Sequence, residues 1–555
     1  MADNVVSFLL ENLTQLLSQE LKLLGGVEDQ VRSLQNELSL INAFLKNTDG
    51  KRHDNELVKE VVSQIRNVAY EAEDVIDTFI MAVTKHRRKG KLGKLIHSCN
   101  RAISFHEVAN KVESIKIINK NIHDNRNKYG IEIAESSGGE TEAEVKLHKR
   151  RRYVEEDHVV GFGHDTEALV KQLIEESAEE KFLEVCSDVK LSPMSKCRRI
   201  SIHFANHPYI SSNPCESSNN RSVIGFQGVV GLESPLDKGY YLKWLCKSNK
   251  LVRVVELSNM AICCAIPKKI QNLFLLRYLS ISSGLRRVII PNSLCNLWNL
   301  ETLDMRNSKI ESLPKGLWKL QKLRHLYLNG PTSLPGTDNE EGLPNLQVLT
   351  GIALNHYTES LFAKARFPNL RKLGLCSSSV QESRLLILSL SSIHPLRHLQ
   401  TLKVCKYIYK LSNPSSLQLI PTKLTLLDMP NFSPSFGVLC SLTNIRILKV
   451  VGCDNFVLEC DESSFCQLRV FKMAKLNHMR WTMKKGAMPR LQRLVIERCN
   501  FYMMPLDELW CSSALQDVEV FYPDPKLVKG LQQFQMRDGC RLQVNPSLDP
   551  FPTTN

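Results

Sequence analysis

The sequence predicts a multidomain protein, with an α-helical four-helix bundle at its N-terminal end and an α/β solenoid of repeats after it. Two observations lead to this prediction. In the first 130 residues, apolar side chains recur three and four positions apart in four separate stretches, which is the period of amphipathic helices. From residue 252 onward a leucine pattern recurs, mostly at steps of 23 or 24 residues, and such a period is typical of stacked repeats.

Each of the four stretches near the N-terminus has one apolar side. Four helices of this kind bury their apolar sides best against one another, so residues 1–130 are predicted to form one bundle. Gly25-Gly26 ends the first stretch. The apolar positions are, stretch by stretch, Leu10, Leu13, Leu17, Leu21 and Leu24; Val27, Val31, Leu34, Leu38, Ile41 and Leu45; Val58, Val61, Ile65, Val68, Ala72, Val75 and Phe79; Phe105, Val108, Val112, Ile115 and Ile122.

The third stretch carries an acidic motif of five residues. On a helix, its acids are predicted to face away from Val75 and Phe79, which belong to the apolar side. They would then form an exposed negative patch, and such a patch needs a cationic partner. The motif consists of Glu73, Asp74, Val75, Ile76 and Asp77.

Residues 131–200 are predicted to be a polar linker. The net charge of +14 suggests an acidic partner, either a nucleic acid or an anionic membrane face. The basic residues concentrate in two runs, at 85–94 and 146–152. Such runs serve as nuclear-import signals or bind lipid headgroups, but more often they are parts of a solvated linker. We expect a nucleic acid to be an unlikely partner.

A nucleotide site is not predicted. A phosphate-binding loop requires GxxxxGK[ST], with glycines that expose backbone N–H groups, Lys for the phosphates and Ser or Thr for magnesium. This pattern does not occur in the 555 residues. The nearest string, Gly90 to Lys94, is followed by Leu95 where the hydroxyl should be, so we expect no cofactor.

The repeats follow the pattern LxxLxL, which is typical of leucine-rich repeats. About 12 repeats are predicted over residues 246–540, with an N-terminal cap at 201–245 and a tail at 541–555. Three early repeats add Ile266-Pro267, Ile290-Pro291 and Leu313-Pro314 on the return segment. The pattern begins at Val252, Leu276, Leu300, Leu323, Leu346, Leu370, Leu399, Leu424, Ile445, Leu468, Leu491 and Leu515.

Function in such a solenoid is expected on the concave face, at the strand positions that are not leucine. A basic column is predicted there, and its first two members are the candidates to meet the acids of the motif at 73–77. Irregular steps near 376–398 and 430–444 predict loops suited to ligand contact. The column consists of Arg253, Arg277, Arg324 and Arg371.

We predict that the chain is not an enzyme and holds no metal. No nucleophile-elbow or paired metal-ligand pattern occurs, and the histidines are scattered. The 17 cysteines do not resemble a disulfide scaffold, which favours a reducing cytosol. Cys453 and Cys499 fall where a side chain bonds to the backbone of the repeat turn, so we predict structural roles for both. No apolar run is long enough to span a bilayer, and Ala2 replaces the glycine that myristoylation needs.

Both ends of the sequence resemble plant coiled-coil immune receptors with nucleotide-binding and leucine-rich-repeat domains. The motif at 73–77 spells the EDVID motif of their Rx-like domain, which in that family packs against arginines of the repeats. Residues 1–20 resemble their MADA motif, although Asn4, Leu10 and Asn12 depart from it. Residues 158–176 resemble the stretch that leads into their nucleotide-binding domain, most or all of which this chain lacks.

The resemblance implies plant disease resistance, in which the repeats recognise a pathogen effector or a guarded host protein and the coiled-coil domain signals the hypersensitive response. Without the nucleotide switch, the chain would be an adaptor, decoy or modulator that pairs with intact receptors or self-associates. One alternative is a pore-forming subunit at the plasma membrane, with Glu11 lining the pore; another is a degenerate fragment. The expected location is cytoplasmic or peripheral at the plasma membrane. The first helix would act through Leu10, Glu11, Leu13 and Leu17.

Overall fold

The chain divides into two compact units, which are described separately. The first comprises residues 1–183, 193–199 and 218–220, and the second comprises 184–192, 200–217 and 221–555. The computed structural model describes residues 6–7, 9–11, 13–14, 28–48, 56–87, 110, 112–118, 120–121, 124, 182–185, 198–203, 220–226, 239–261, 265–284, 286–336, 341–353, 355–377, 393, 395–405, 421–429, 440, 444–523, 527, 530–531 and 539–545.

Helices dominate the first unit. Among the described residues they are α1, whose described residues lie between 6 and 14, α2 (Glu28–Thr48), α3 (Glu56–Arg87) and α4, whose described residues lie between 110 and 124. Their apolar sides share one core, as the spacing predicted. The buried core residues are Val6, Leu9, Leu13, Val31, Leu34, Leu38, Ile41, Leu45, Val62, Ile65, Val68, Ala69, Ala72, Val75, Ile76, Val112 and Ile115.

Helix α1 differs from its predicted orientation. Val6, Leu9 and Leu13 are buried, whereas Leu10 is only partly buried at the edge of the core. The predicted stripe, which joined Leu10 to Leu13, omits the buried Val6 and Leu9, and it places within the core a residue, Leu10, that packs at its edge. The reason is that Val6 and Leu9 lie seven and four residues before Leu13 and complete a helical face of their own. Leu17 lies outside the described residues.

The second unit is built around a sheet whose 16 described strands follow the chain order, with one strand from each repeat. From residue 222 onward, neighbouring strands of this sheet pair in parallel. Its strands are β1 (Phe182–Val185), β2 (Arg199–His203), β3 (Ser222–Phe226), β4 (Val254–Ala261), β5 (Tyr278–Ser282), β6 (Thr302–Met305), β7 (His325–Thr332), β8 (Val348–Ile352), β9 (Lys372–Cys376), β10 (Thr401–Cys405), β11 (Lys423–Leu427), β12 (Ile447–Val451), β14 (Val470–Ala474), β16 (Arg493–Glu497), β18 (Asp517–Phe521) and β19 (Arg541–Asn545).

The return side of the repeats changes along the array. Early repeats have 3-10 helices, at Lys268–Asn272, Asn292–Asn296 and Lys315–Lys319, each directly after the predicted proline. Late repeats have a second parallel sheet of three strands, β13 (Val457–Cys460), β15 (Met479–Met483) and β17 (Phe501–Met503). The α-helices of this unit that are described over their full length are α5 (Gly239–Ser248), α6 (His356–Ala363) and α7 (Leu506–Trp510).

Side chains alternate between the two sides of the main sheet. The leucine positions, such as Leu402 and Val404 of β10, are buried against the return side. The residues between them, such as Lys403, lie on the opposite side, which we call the open face. Neighbouring strands align residue by residue, so that Leu402 lies opposite Leu424.

This register corrects one predicted repeat. Leu424 is the fourth position of its repeat and not the first, because it pairs with Leu402 rather than with Leu399. The repeat begins at Pro421, so the steps from Leu399 to Pro421 and from Pro421 to Ile445 are 22 and 24 residues. The short step that suggested an irregular loop at 430–444 therefore came from a misplaced start. Residues 430–439 and 441–443 themselves lie outside the described residues.

The sheet also extends beyond the predicted repeat region. Strand β1 lies in the segment predicted as linker, β2 spans the predicted boundary at residue 200, and β3 lies in the predicted cap. Strand β19 lies in the predicted tail and pairs in parallel with β18.

Polar side chains connect consecutive repeats through the backbone. Asn299, Asn345 and Asn369 each donate a side-chain hydrogen bond to a backbone carbonyl of the preceding repeat, at 3.0, 2.8 and 2.8 Å. The Cys453 and Cys499 thiols contact the carbonyls of Val451 and Glu497, at 3.6 and 3.3 Å, and burial raises the pKa of both thiols to about 11. These contacts confirm the structural role predicted for the two cysteines.

Among the described residues, no helix is both long enough and apolar enough to cross a bilayer.

Candidate functional site

The acidic motif on α3 is bonded to Arg198. One Arg198 amino group pairs with the Glu73 carboxylate, and the other donates to an Asp74 carboxylate oxygen at 2.9 Å and to the Tyr70 carbonyl. The guanidinium also lies over the Tyr70 ring, 4.0 Å from its centroid. Three groups on consecutive turns of α3 therefore hold one cation.

The predicted exposure of the motif is wrong. Glu73 and Asp77 are only 5% and 3% exposed, although Asp74 is half-buried. Helix α3 is buried on a broader surface than its predicted stripe, because Val62, Ala69 and Ile76 also belong to the core. A buried carboxylate requires a partner of opposite charge, and Arg198 provides it for Glu73.

Sequence reasoning missed Arg198. The predicted partners of the motif were Arg253 and Arg277, and their contact with the acids stays a prediction. Arg198 directly precedes the apolar strand β2, as Arg253 directly precedes β4. That shared pattern, an arginine before an apolar strand, could have identified it.

Helix α1 is tied to α2 by polar as well as apolar contacts. The Ser7 hydroxyl donates to the Asn42 side-chain carbonyl at 3.0 Å, and the Gln35 amide donates to the Thr14 hydroxyl at 2.7 Å. Glu11 is exposed. Leu13, one of the residues predicted to act at a membrane, is completely buried in the core. An action of α1 at a membrane therefore requires that α1 first leave the bundle.

The four arginines of the predicted basic column occupy equivalent positions, one residue before a strand. Backbone N–H groups at these positions donate to the carbonyl of the preceding position at 2.8 Å, from Arg277 to Arg253 and so on along the sheet. Glu301 and Gln347 hold the intervening positions, and Glu301 lies 3.6 Å from Arg277 and 3.9 Å from Arg324. The order is therefore Arg253, Arg277, Glu301, Arg324, Gln347, Arg371, which is mixed in charge rather than uniformly basic.

A cluster of polar and aromatic side chains lies on the open face of β4 and β5. The Tyr278 hydroxyl donates to the Glu256 carboxylate at 2.7 Å, and the Ser258 backbone N–H donates to its other oxygen at 2.9 Å. Burial disfavours the charged form of the Glu256 carboxyl. The hydrogen bonds to the carboxylate favour the charged form more strongly, so the pKa of the carboxyl lies below its ordinary value. Burial and the neighbouring carboxylate raise the pKa of Tyr278 to about 12.

The cluster continues on β6 and β7. Asp304 accepts hydrogen bonds from Arg306 at 2.6 to 3.1 Å, through both carboxylate oxygens. This contact holds the Arg306 guanidinium 4.9 Å from the centroid of the Tyr327 ring. His325 stacks beside Tyr327 and bonds to Thr302 at 3.0 Å. We call the set Glu256, Tyr278, Asp304, Arg306 and Tyr327 the polar–aromatic cluster.

The raised pKa of Tyr278 gives a testable pH dependence. Because the folded-state pKa lies above the ordinary value of about 10, the contribution of Tyr278 to stability is complete below pH ~10 and is lost as the pH rises towards about 12. The ultraviolet difference titration between the wild type and Tyr278→Phe should therefore show one phenol that ionises near pH 12. In a Glu256→Gln background the same difference should move to lower pH. A phenol that ionises near pH 10 in both backgrounds would contradict this assignment.

Within the described part of the chain, no group of three or more His, Cys, Asp or Glu side chains could hold a metal ion. The polar–aromatic cluster is held together by contacts among its own side chains. Its residues were not predicted from the sequence, because they meet only when neighbouring strands align.

Comparison with known proteins supports the division into two parts. Residues 5–113 match the Rx N-terminal domain, and residues 242–451 match a leucine-rich repeat region. The first match covers α1 to α3, the acidic motif and the first residues of α4, and the second covers the polar–aromatic cluster.

Similar proteins include a putative disease resistance protein of Arabidopsis thaliana, 32% identical over 208 residues, or 37% of this chain and 24% of that protein. A putative late blight resistance protein homologue of Solanum demissum is 27% identical over 313 residues, or 52% of this chain and 23% of that protein. The chain thus spans less than a quarter of the length of these relatives. A leucine-rich repeat protein of Leptospira interrogans has a similar structure, with a TM-score of 0.30, 17% identity, and coverage of 61% of this chain and 99% of that one.

Proposed function

We propose that this chain, which combines an Rx N-terminal domain with a leucine-rich repeat region as its plant disease resistance relatives do, is a non-enzymatic protein-binding component of plant defence. The open face of the repeats recognises a pathogen effector or a guarded host protein. The helical unit binds signalling partners, which include intact receptors and further copies of the coiled-coil domain.

The polar–aromatic cluster is the observation that carries this proposal. Asp304 fixes Arg306 over Tyr327, and Glu256 fixes Tyr278, so these side chains lose little conformational freedom when a partner binds. Tyrosine and arginine are also the side chains that most often dominate binding energy at protein interfaces. A fixed Tyr–Arg surface on a repeat sheet is therefore suited to a protein partner.

A test is capture of partners by the full chain in leaf tissue, with chemical crosslinking and mass spectrometry. The Arg306→Ala, Tyr327→Ala double variant should lose partners that the wild type captures. Lys268→Ala with Lys315→Ala is the matched control, because both lysines are exposed on 3-10 helices of the return side. Identical partners for all three proteins would argue against recognition by the open face.

We further propose that the chain acts as an adaptor, decoy or modulator of intact receptors in the cytoplasm. Support for this role comes from the sequence, in which the phosphate-loop pattern does not occur. Coexpression with a receptor that has its own nucleotide switch should then change the strength of the hypersensitive response. An unchanged response over a range of coexpressed receptors would argue for a different role.

A second candidate function is a pore-forming subunit that contacts the plasma membrane through α1. The exposure of Glu11 beside an apolar face favours it, because that arrangement is typical of helices that lie at a bilayer. Leu13 is unsuited to a test, because a charge there would disrupt the bundle core. Glu11→Ala keeps the core, so it should abolish cell death if α1 lines a pore. Cell death at the wild-type level in this variant would remove the candidate.

A further inference from the structure

The middle of the open face is uniformly basic. Five neighbouring strands, β9 to β12 and β14, and the residue before each of them contain no Asp or Glu. They contain eight cationic residues, of which five are lysines within the strands. We call this surface the lysine face. Its cations are Arg371, Lys372, Lys403, Lys423, Arg446, Lys449, Arg469 and Lys472.

Two cations of the lysine face, Lys403 and Lys449, differ from the charged residues at either end of the open face. Lys403 and Lys449 are exposed, and neither has a side-chain partner among the described residues. On the strands that follow, Arg493 pairs with Glu519 at 2.7 Å. On the strands that precede, Arg306 pairs with Asp304. Opposite charges thus neutralise each other at both ends, whereas Lys403 and Lys449 in the middle are available to another molecule.

The strand register places the lysines in a row. Lys403 lies opposite Thr425, Thr425 opposite Lys449, and Lys449 opposite Lys472. Adjacent strands are about 4.8 Å apart, so the backbones at Lys403 and Lys449 are roughly 10 Å apart. An extended segment in the polyproline II conformation advances about 3.1 Å per residue and repeats its side-chain direction every three residues, so acidic side chains three residues apart would match this spacing.

We propose that the lysine face binds an acidic, extended segment of a partner protein. This inference rests on the proposed function, since it names the chemistry of the protein that the repeats recognise. The composition of the face favours a polypeptide over a single-stranded nucleic acid. Single-stranded nucleic acids are usually held by aromatic side chains that stack on the bases, and the open-face positions of these five strands contain no aromatic residue.

The experiment measures binding to the full chain by fluorescence anisotropy, with labelled oligoglutamate, a neutral Gly-Ser peptide of equal length and a single-stranded oligonucleotide of equal charge as probes. The test variant is Lys403→Glu with Lys449→Glu. The control is Lys268→Glu with Lys315→Glu, which changes the net charge equally but on the return side. Circular dichroism confirms that both variants fold.

The wild type should bind oligoglutamate and not the neutral peptide. The test variant should bind oligoglutamate at least about tenfold more weakly than the control variant, and the difference should shrink at high salt. Equal losses in the two variants, or no binding by the wild type, would overturn the proposal. Tighter binding of the oligonucleotide, with the same dependence on Lys403 and Lys449, would also overturn it and assign the face to nucleic acid.

These outcomes are separable from a failure of the proposed function. If oligoglutamate binding behaves as expected and no plant partner is captured, the lysine face stands and the defence role fails. If partners depend on Arg306 and Tyr327 while oligoglutamate does not bind, only the lysine face fails.

Discussion

Replacement of Arg198 by Met should destabilise the helical unit by about 3–5 kcal/mol, because it leaves the Glu73 carboxylate buried without a partner of opposite charge. The same change removes the bond to Asp74 and the contact with the Tyr70 ring. Hydrogen–deuterium exchange of the full chain, followed on peptides of α3, measures the effect. Exchange around residues 70–77 should become faster by at least about a hundredfold.

Two variants control this experiment. Arg397→Met changes an exposed arginine of the repeats and should leave α3 nearly unaffected. Arg198→Met combined with Glu73→Met removes both buried charges, so it should lose less stability than Arg198→Met alone. If the double variant is as unstable as the sum of the two single variants, the ion pair does not carry the effect.

Replacement of Trp481 by Ala should cost the late repeats about 3–5 kcal/mol, since Trp481 is fully buried and large. Its ring meets the Phe471 ring edge to face, with centroids 5.4 Å apart. The side chain thus joins β15 on the return side to β14 in the main sheet. Exchange should accelerate in peptides from both strands.

Trp481→Phe keeps an aromatic ring against Phe471 and should lose at most half as much stability. Arg480→Ala, one residue earlier on β15, should cost less than about 1 kcal/mol because that side chain is exposed. Acceleration confined to β15 in Trp481→Ala would show that the two layers open independently.

The sequence predicted the layout well where one period dominates. Helix α2 buries the apolar residues that its spacing predicted, from Val31 to Leu45. Fewer residues are described in helix α1 than in α2. Helix α1 is also rich in leucine, so more than one of its faces has apolar residues at the helical period. The choice between Leu9 and Leu10 therefore depended on packing against α2, which a single sequence does not contain.

The site was predicted less well, because it depends on contacts between distant residues. Arg198 and Glu73 are 125 positions apart. The motif alone predicted that its acids need a cationic partner, but it did not predict which residue provides the cation. The lysine face requires the correct alignment of β10 to β14, and the start assigned to Leu424 broke that alignment by three residues. Once the register is known, the row of lysines follows from the sequence.

The second sheet on the return side has a geometric consequence. In the early repeats a 3-10 helix occupies the side opposite the strand, and a helix is wider than the strand spacing of about 4.8 Å. In the late repeats β13, β15 and β17 occupy that side, so both sides advance by one strand per repeat. Equal advance on both sides removes the cause of bending. The late repeats should therefore form a straighter segment, on which Lys449 and Lys472 lie on a nearly flat part of the open face.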